Sequence, residues 1–100
     1  MTSQAIIDKI VSQKKEFRRF GVNRLGLFGS VVRNEANAKS DIDVLVEFDP
    51  AKKTFRNFIG TAEFMENLTG RSVDLITKES LSPYFRPHVL KEILYVKIAA

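Results

Sequence analysis

The stretch Leu25–Phe48, LGLFGSVVRNEANAKSDIDVLVEF, decides how this chain folds. An apolar run, Leu25–Phe28, leads into Gly29-Ser30. Ten residues further on stand Asp41 and Asp43, separated by Ile42, and a second apolar run leads away from them. Asp41–Phe48 is rich in β-branched residues and reads as a strand, ended by Asp49-Pro50. Arg24–Phe28 reads as a shorter strand, Val31–Ala36 as a short helix starting on Ser30, and Asn37–Ser40 as a turn. If Ser30 and Asp41 share a site, the end of the first strand lies beside the start of the second. The two strands then run antiparallel.

On either side of this stretch the apolar spacing changes to that of helices. Ile6, Ile7, Ile10, Val11 and Phe17 share one side of a helix over residues 3–20, with Ser3 as N-cap and Gly21 as its stop. Lys14, Lys15, Arg18 and Arg19 crowd its last turns, where cations suit the helix dipole. Phe55, Phe58, Ile59, Ala62, Met65 and Leu68 predict a second helix over Thr54–Thr69, closed by Gly70. Ser72–Thr77 is a third strand, and a last helix starting near Pro87 carries Val89, Leu90, Ile93 and Leu94. The order is α-β-α-β-α-β-α. If Asp74, near the start of strand three, joins the same site, strand three runs parallel to strand two through the helical crossover 49–71. The fold class is α/β (α+β): a small mixed sheet flanked by helices.

One hundred residues suit one domain over 1–100, with enough surface for one core. Hydrophobic residues make up 44% and charged residues 28%, the balance of a globular protein. The chain has no Cys, so disulfides and thiolate metal sites are excluded and a reducing cytoplasm is the expected location. Asp8 and Lys9 interrupt the N-terminal apolar run, which therefore lacks a signal-peptide layout. No apolar stretch approaches the ~20 residues needed to span a bilayer. The net charge of +4 is compatible with polyanionic partners and equally with an ordinary basic surface.

Asp41 and Asp43 are two apart on a strand, so both side chains leave one face while Ile42 and Val44 enter the core. Carboxylates held this close repel, and a divalent cation removes the conflict. All-oxygen ligands favour Mg²⁺ or Mn²⁺. With Asp74 they number three, enough to hold two ions roughly 4 Å apart, the arrangement used in phosphoryl transfer. Gly29 lets backbone approach a ligand, and Ser30, where strand turns to helix, can meet phosphate oxygens. The chain lacks GxxxxGK[ST], so this is no P-loop. A lone Asp-x-Asp is usually a solvated strand end, and a lone Gly-Ser a turn. The full set, G-S-x10-D-x-D with a later Asp74, is more specific.

That set resembles the signature of the DNA polymerase β-like nucleotidyltransferase superfamily. The short chain resembles its minimal branch, which includes the MNT antitoxins of HEPN–MNT toxin–antitoxin modules. The resemblance implies that Asp41 and Asp43 hold both metals and that Asp74 holds one and helps deprotonate the attacking hydroxyl. It implies that Gly29 and Ser30 bind the triphosphate of ATP. Two Mg²⁺ ions would be the cofactors, with Mn²⁺ as a substitute. A cognate HEPN ribonuclease toxin would be the partner, receiving AMP on a tyrosine. Asn34 stands where the family often has Gly, and Asn tolerates a left-handed turn. Arg33 can bind a phosphate or pair with Glu47 or another acid. Lys39 and Arg86 could reach a triphosphate, and His88 fits a surface or capping role. Neither a membrane nor direct nucleic-acid binding is expected, and self-association stays open. Two further readings are an antitoxin acting by stoichiometric docking, and nucleotidyl transfer to a small molecule.

Overall fold

The computed structural model describes residues 2–99. Its elements are α1 (Ser3–Ser12), α2 (Lys14–Arg19), β1 (Val22–Phe28), β2 (Ile42–Phe48), α3 (Phe55–Thr69), β3 (Val73–Thr77), α4 (Arg86–Glu92) and β4 (Leu94–Lys97). The sheet order is β3-β2-β1-β4. β1 runs antiparallel to β2 and to β4, and β2 runs parallel to β3. The antiparallel and parallel pairings expected for the first three strands are both present, in a mixed sheet with helices packed on it. No helix among the described residues is long and apolar enough to cross a membrane.

Strand alternation sorts the sheet into two faces. One face carries Leu25, Leu27, Ile42, Val44, Val46 and Val96. These pack with Ile6, Ile10, Phe17 and Met65 of the helices in the main core. The other face is ordered along the strands by the pairing register. Asp74, Asp43 and Phe28 stand in one row, Ile76, Leu45, Gly26 and Tyr95 in the next, and Glu47, Arg24 and Lys97 in the last. A smaller apolar cluster of Leu45, Leu81, Val89, Phe28, Ile76 and Ile93 seats α4 over the middle of this face. The carboxylates are left at one end, and Arg24 spans the other, bonded to Glu47 at 2.6 Å and lying over the Tyr95 ring.

Several expectations are corrected. The single helix over 3–20 is two, because the Ser12 hydroxyl donates to the Lys9 carbonyl at 2.6 Å. Gln13 N–H turns instead to Ile10 O, and the helical ladder breaks there. Its N-cap is Thr2, whose Oγ1 accepts Ala5 N–H, and not Ser3. Val11 points to solvent, as do Phe55 and Ile59 of α3, while Met65 and Thr61 are buried. The short helix over Val31–Ala36 is a single 3-10 turn at Gly29–Val31, followed by Asn34 at φ 62. The left-handed turn expected at Asn34 is therefore present.

The largest correction is at the C-terminal end. α4 stops at Glu92, and Leu94–Lys97 forms an edge strand on β1 where the helix was expected to continue. The element order is thus α-α-β-β-α-β-α-β. Val96 and Ile98 alternate into the core while Tyr95 and Lys97 stay out, the period-two pattern of a half-buried strand. Gly26 makes room for this strand. A Cβ there would overlap Ile93 and come within 3.2 Å of Tyr95 Cδ1. Gly26→Val should therefore displace the Ile93–Tyr95 segment and destabilise the fold by about 1–3 kcal/mol, as overpacking does. Urea unfolding measures the loss, and an unchanged midpoint would contradict this placement of β4.

Candidate active site

The parallel pairing of β2 with β3 places Asp43 and Asp74 opposite each other. Adjacent strands lie about 4.8 Å apart, so two carboxylates on the same face of such a pair are close neighbours. Asp41 precedes β2 by one residue and is exposed, as is Asp74, whereas Asp43 is half-buried. Burial pushes the Asp43 carboxyl above its ordinary value, and the Asp74 and Asp41 charges push it further. Arg33 opposes the shift and Glu92 adds to it. The crowding expected from the spacing is thus present, and it is centred on Asp43.

Gly29 completes the other side. It is buried, with φ +78, and any Cβ there would overlap Asp43 Oδ2. No other residue fits without moving the carboxylate. The turn then closes on itself: Val32 and Arg33 N–H donate to Gly29 O, and Glu35 N–H donates to Ser30 O at 2.8 Å. Gly29, Ser30, Asp41, Asp43 and Asp74 therefore converge on one end of the sheet.

Among the described residues no three carboxylate or histidine side chains stand ready as a ligand set for one ion. A hard cation can take one or two protein carboxylates and complete its shell with substrate phosphates and water. Asp43 crowded by Asp41 and Asp74 supplies both the oxygen donors and the negative charge for such a cation.

Arg33 makes the expected salt bridge to an acid, but its partners are Glu35 and Glu92 and not Glu47. Its Nε donates to Glu35 at 2.6 Å and its Nη1 to Glu92 at 2.9 Å, while Glu47 pairs with Arg24. Arg86 donates to the Lys78 and Leu81 carbonyls, and His88 is an exposed residue beside Tyr84. Lys39 is exposed in the 37–40 turn, its backbone N–H held by Asn37. Two residues near the site are not suggested by the sequence. Arg71 Nη2 donates to the carbonyls of Asn37 and Ser40, bracing the turn that delivers Asp41. Glu92 accepts the Gly29 N–H at 3.0 Å. Both act across long sequence separations, which leave no local pattern to read.

The raised Asp43 carboxyl has a consequence for stability. A carboxyl that titrates higher in the folded chain than in the unfolded one lowers stability as pH rises through that window, and the deficit persists above it. Asp43→Asn should therefore raise the melting temperature of the metal-free protein at pH 7. The gain should shrink toward zero as pH falls to about 4, where the unfolded carboxyl protonates. Thermal melts of both proteins between pH 4 and 8 test this, and a variant less stable than wild type at pH 7 would contradict it.

Residues 7–96 match the family model described as Nucleotidyltransferase domain. The protein adenylyltransferase MntA of Thermococcus cleftensis is 42% identical over 97 residues, covering 96% of this chain and 97% of that protein. A solved structure described as a "putative minimal nucleotidyltransferase" superposes with a TM-score of 0.72 at 30% identity, over 94% of this chain and 95% of that one. A chain of the Shewanella oneidensis complex between a tri-AMPylated HEPN toxin and an MNT antitoxin shares the fold, with a TM-score of 0.63. Its identity is 20%, over 92% of this chain and 69% of that one. The G-S turn, the two carboxylates of β2 and the third on β3 thus stand in a chain that belongs to the nucleotidyltransferase domain family.

Proposed function

We propose that this chain transfers AMP from ATP to a tyrosine hydroxyl of a HEPN-type toxin protein, with Mg²⁺ as cofactor. The observation that carries the reading is the convergence of Asp43 and Asp74, paired across β2 and β3, on a turn whose Gly29 leaves room only for the Asp43 carboxylate. The name of the Thermococcus cleftensis relative supports adenylyl as the transferred group. The Shewanella oneidensis complex supports a HEPN toxin as the acceptor class.

Asp41 and Asp43 would hold two metal ions and Asp74 would join at one of them, with substrate phosphates and water completing the shells. Bound there, the ions would neutralise charge developing on the phosphate oxygens. Gly29 and Ser30 orient the triphosphate, and the exposed Asp74 receives the proton of the attacking hydroxyl. That hydroxyl forms a bond to the α-phosphorus, the bond from the α-phosphorus to the bridging oxygen breaks, and pyrophosphate leaves. Asp41 and Asp74 stand open to solvent, as transfer to a bulky protein acceptor requires.

ATP labelled separately at the α and γ phosphates tests the reading, with a HEPN-type toxin protein as acceptor. Label from α should enter the acceptor at tyrosine in mass steps of AMP, and label from γ should appear only in pyrophosphate. Asp41→Asn/Asp43→Asn should fold and lose turnover by about 10³-fold or more, since charge stabilisation is the largest part of such a rate. Incorporated γ label would make the protein a kinase. Inhibition of the toxin by the double variant, without incorporation by wild type, would make it a docking antitoxin.

A further inference from the structure

β4 begins at Leu94, whose partner on β1 is Leu27. Extending that antiparallel register by two residues sets Glu92 opposite Gly29. There, however, the chain is still helical, since α4 runs through Glu92 and the backbone becomes extended only at Ile93. β4 offers no main-chain acceptor to the Gly29 N–H, and the Glu92 side chain takes its place. Its Oε1 accepts Gly29 N–H at 3.0 Å and Arg33 Nη1 at 2.9 Å, and its Oε2 lies 3.1 Å from the same Arg33 nitrogen. Its side chain is 23% exposed and that of Arg33 50%, so the bond to Gly29 is partly shielded from water while the ion pair is open to it.

The contact falls at the critical point of the turn. Phe28 is extended, and Gly29 then swings to φ +78 against Asp43. One carboxylate holds the amide at that swing and the guanidinium that ends the following turn. A carboxylate suits this because one of its two donors is a cation, and charge-assisted bonds are the stronger kind. Glu92 also lies on the β4 side of β1, whereas Asp43 lies on the β2 side. It therefore braces the turn from behind and leaves the side that faces the carboxylates free.

We propose that Glu92 is a positioning residue for this reaction, clamping Gly29 and Arg33 so that the Gly29-Ser30 turn receives the triphosphate over Asp43. The proposal rests on the nucleotidyltransferase reading. It assigns Arg33 to the clamp and makes the end of α4 part of the nucleotide site without touching the nucleotide.

The test pairs kinetics with amide hydrogen exchange on Glu92→Ala and Glu92→Gln. In Glu92→Ala the Gly29 amide should lose its protection while the core strands keep theirs. The value of kcat/KM for ATP should fall by about 10²-fold, the scale of a misplaced binding group. Glu92→Gln still offers an oxygen to Gly29 but loses the ion pair, so Gly29 should stay protected and the loss should be about tenfold. A lower KM for ATP in Glu92→Ala would overturn the proposal, because Glu92 would then be a stand-in that phosphate displaces. Wild-type kcat/KM in both variants would also overturn it. Should Glu92→Ala fail to fold, Glu92→Gln decides alone: the tenfold loss upholds the clamp and no loss overturns it. Should wild type neither bind nor turn over ATP, the nucleotidyltransferase reading falls. Gly29 exchange then settles the clamp, upheld by lost protection in Glu92→Ala and overturned by retained protection.

Discussion

Asp43 and Asp74 are held side by side because β2 and β3 pair in parallel with these residues in register. Neither can swing to the other face, since Ile42 and Val44 on one strand and Leu75 on the other anchor the alternation in the main core. The repulsion between the carboxylates is therefore built into the sheet. Burial makes it worse for Asp43, whose carboxyl is pushed up by desolvation and then by its two neighbours. A nearby cation would relieve this repulsion. The apolar packing of the other face carries the electrostatic strain.

The rest of the molecule keeps that end of the sheet open while fixing its edges. α4 covers the middle of the face through Leu81, Val89 and Ile93, and ends at the rim. At the rim Glu92 turns to Gly29, and Arg71 ties down the carbonyls just ahead of Asp41. At the far end Arg24, Glu47 and Tyr95 occupy the face themselves. The carboxylates therefore stand at one rim, where Asp41 and Asp74 are exposed.

Legibility in the sequence followed the range of the interaction. Asp41 and Asp43 alternate with buried Ile42 and Val44, so their shared face and the antiparallel return from Gly29 could be read from local spacing. Asp74 needed only one more step, the parallel crossover through α3. The left-handed caps at Gly21 and Gly70 were legible for the same local reason. β4 was not, because no Gly or Pro separates it from α4 and its hydrogen bonds go to a strand some seventy residues away. The break at Gln13 hides in one hydroxyl of Ser12. Arg33 has several acids in reach along the chain, and only the placement of α4 selects Glu92 over Glu47.

The most direct measurement of the central claim, that crowded carboxylates at the β2–β3 rim create the cation site, is paramagnetic broadening of backbone amide signals by Mn²⁺. Substoichiometric Mn²⁺ added with ATP should broaden Gly29, Ser30, Asp43 and Asp74 first. Mg²⁺ should reverse the effect by competition. Broadening that instead centres on the exposed acids Glu63 or Glu79, or that spreads evenly over the surface, would contradict the account.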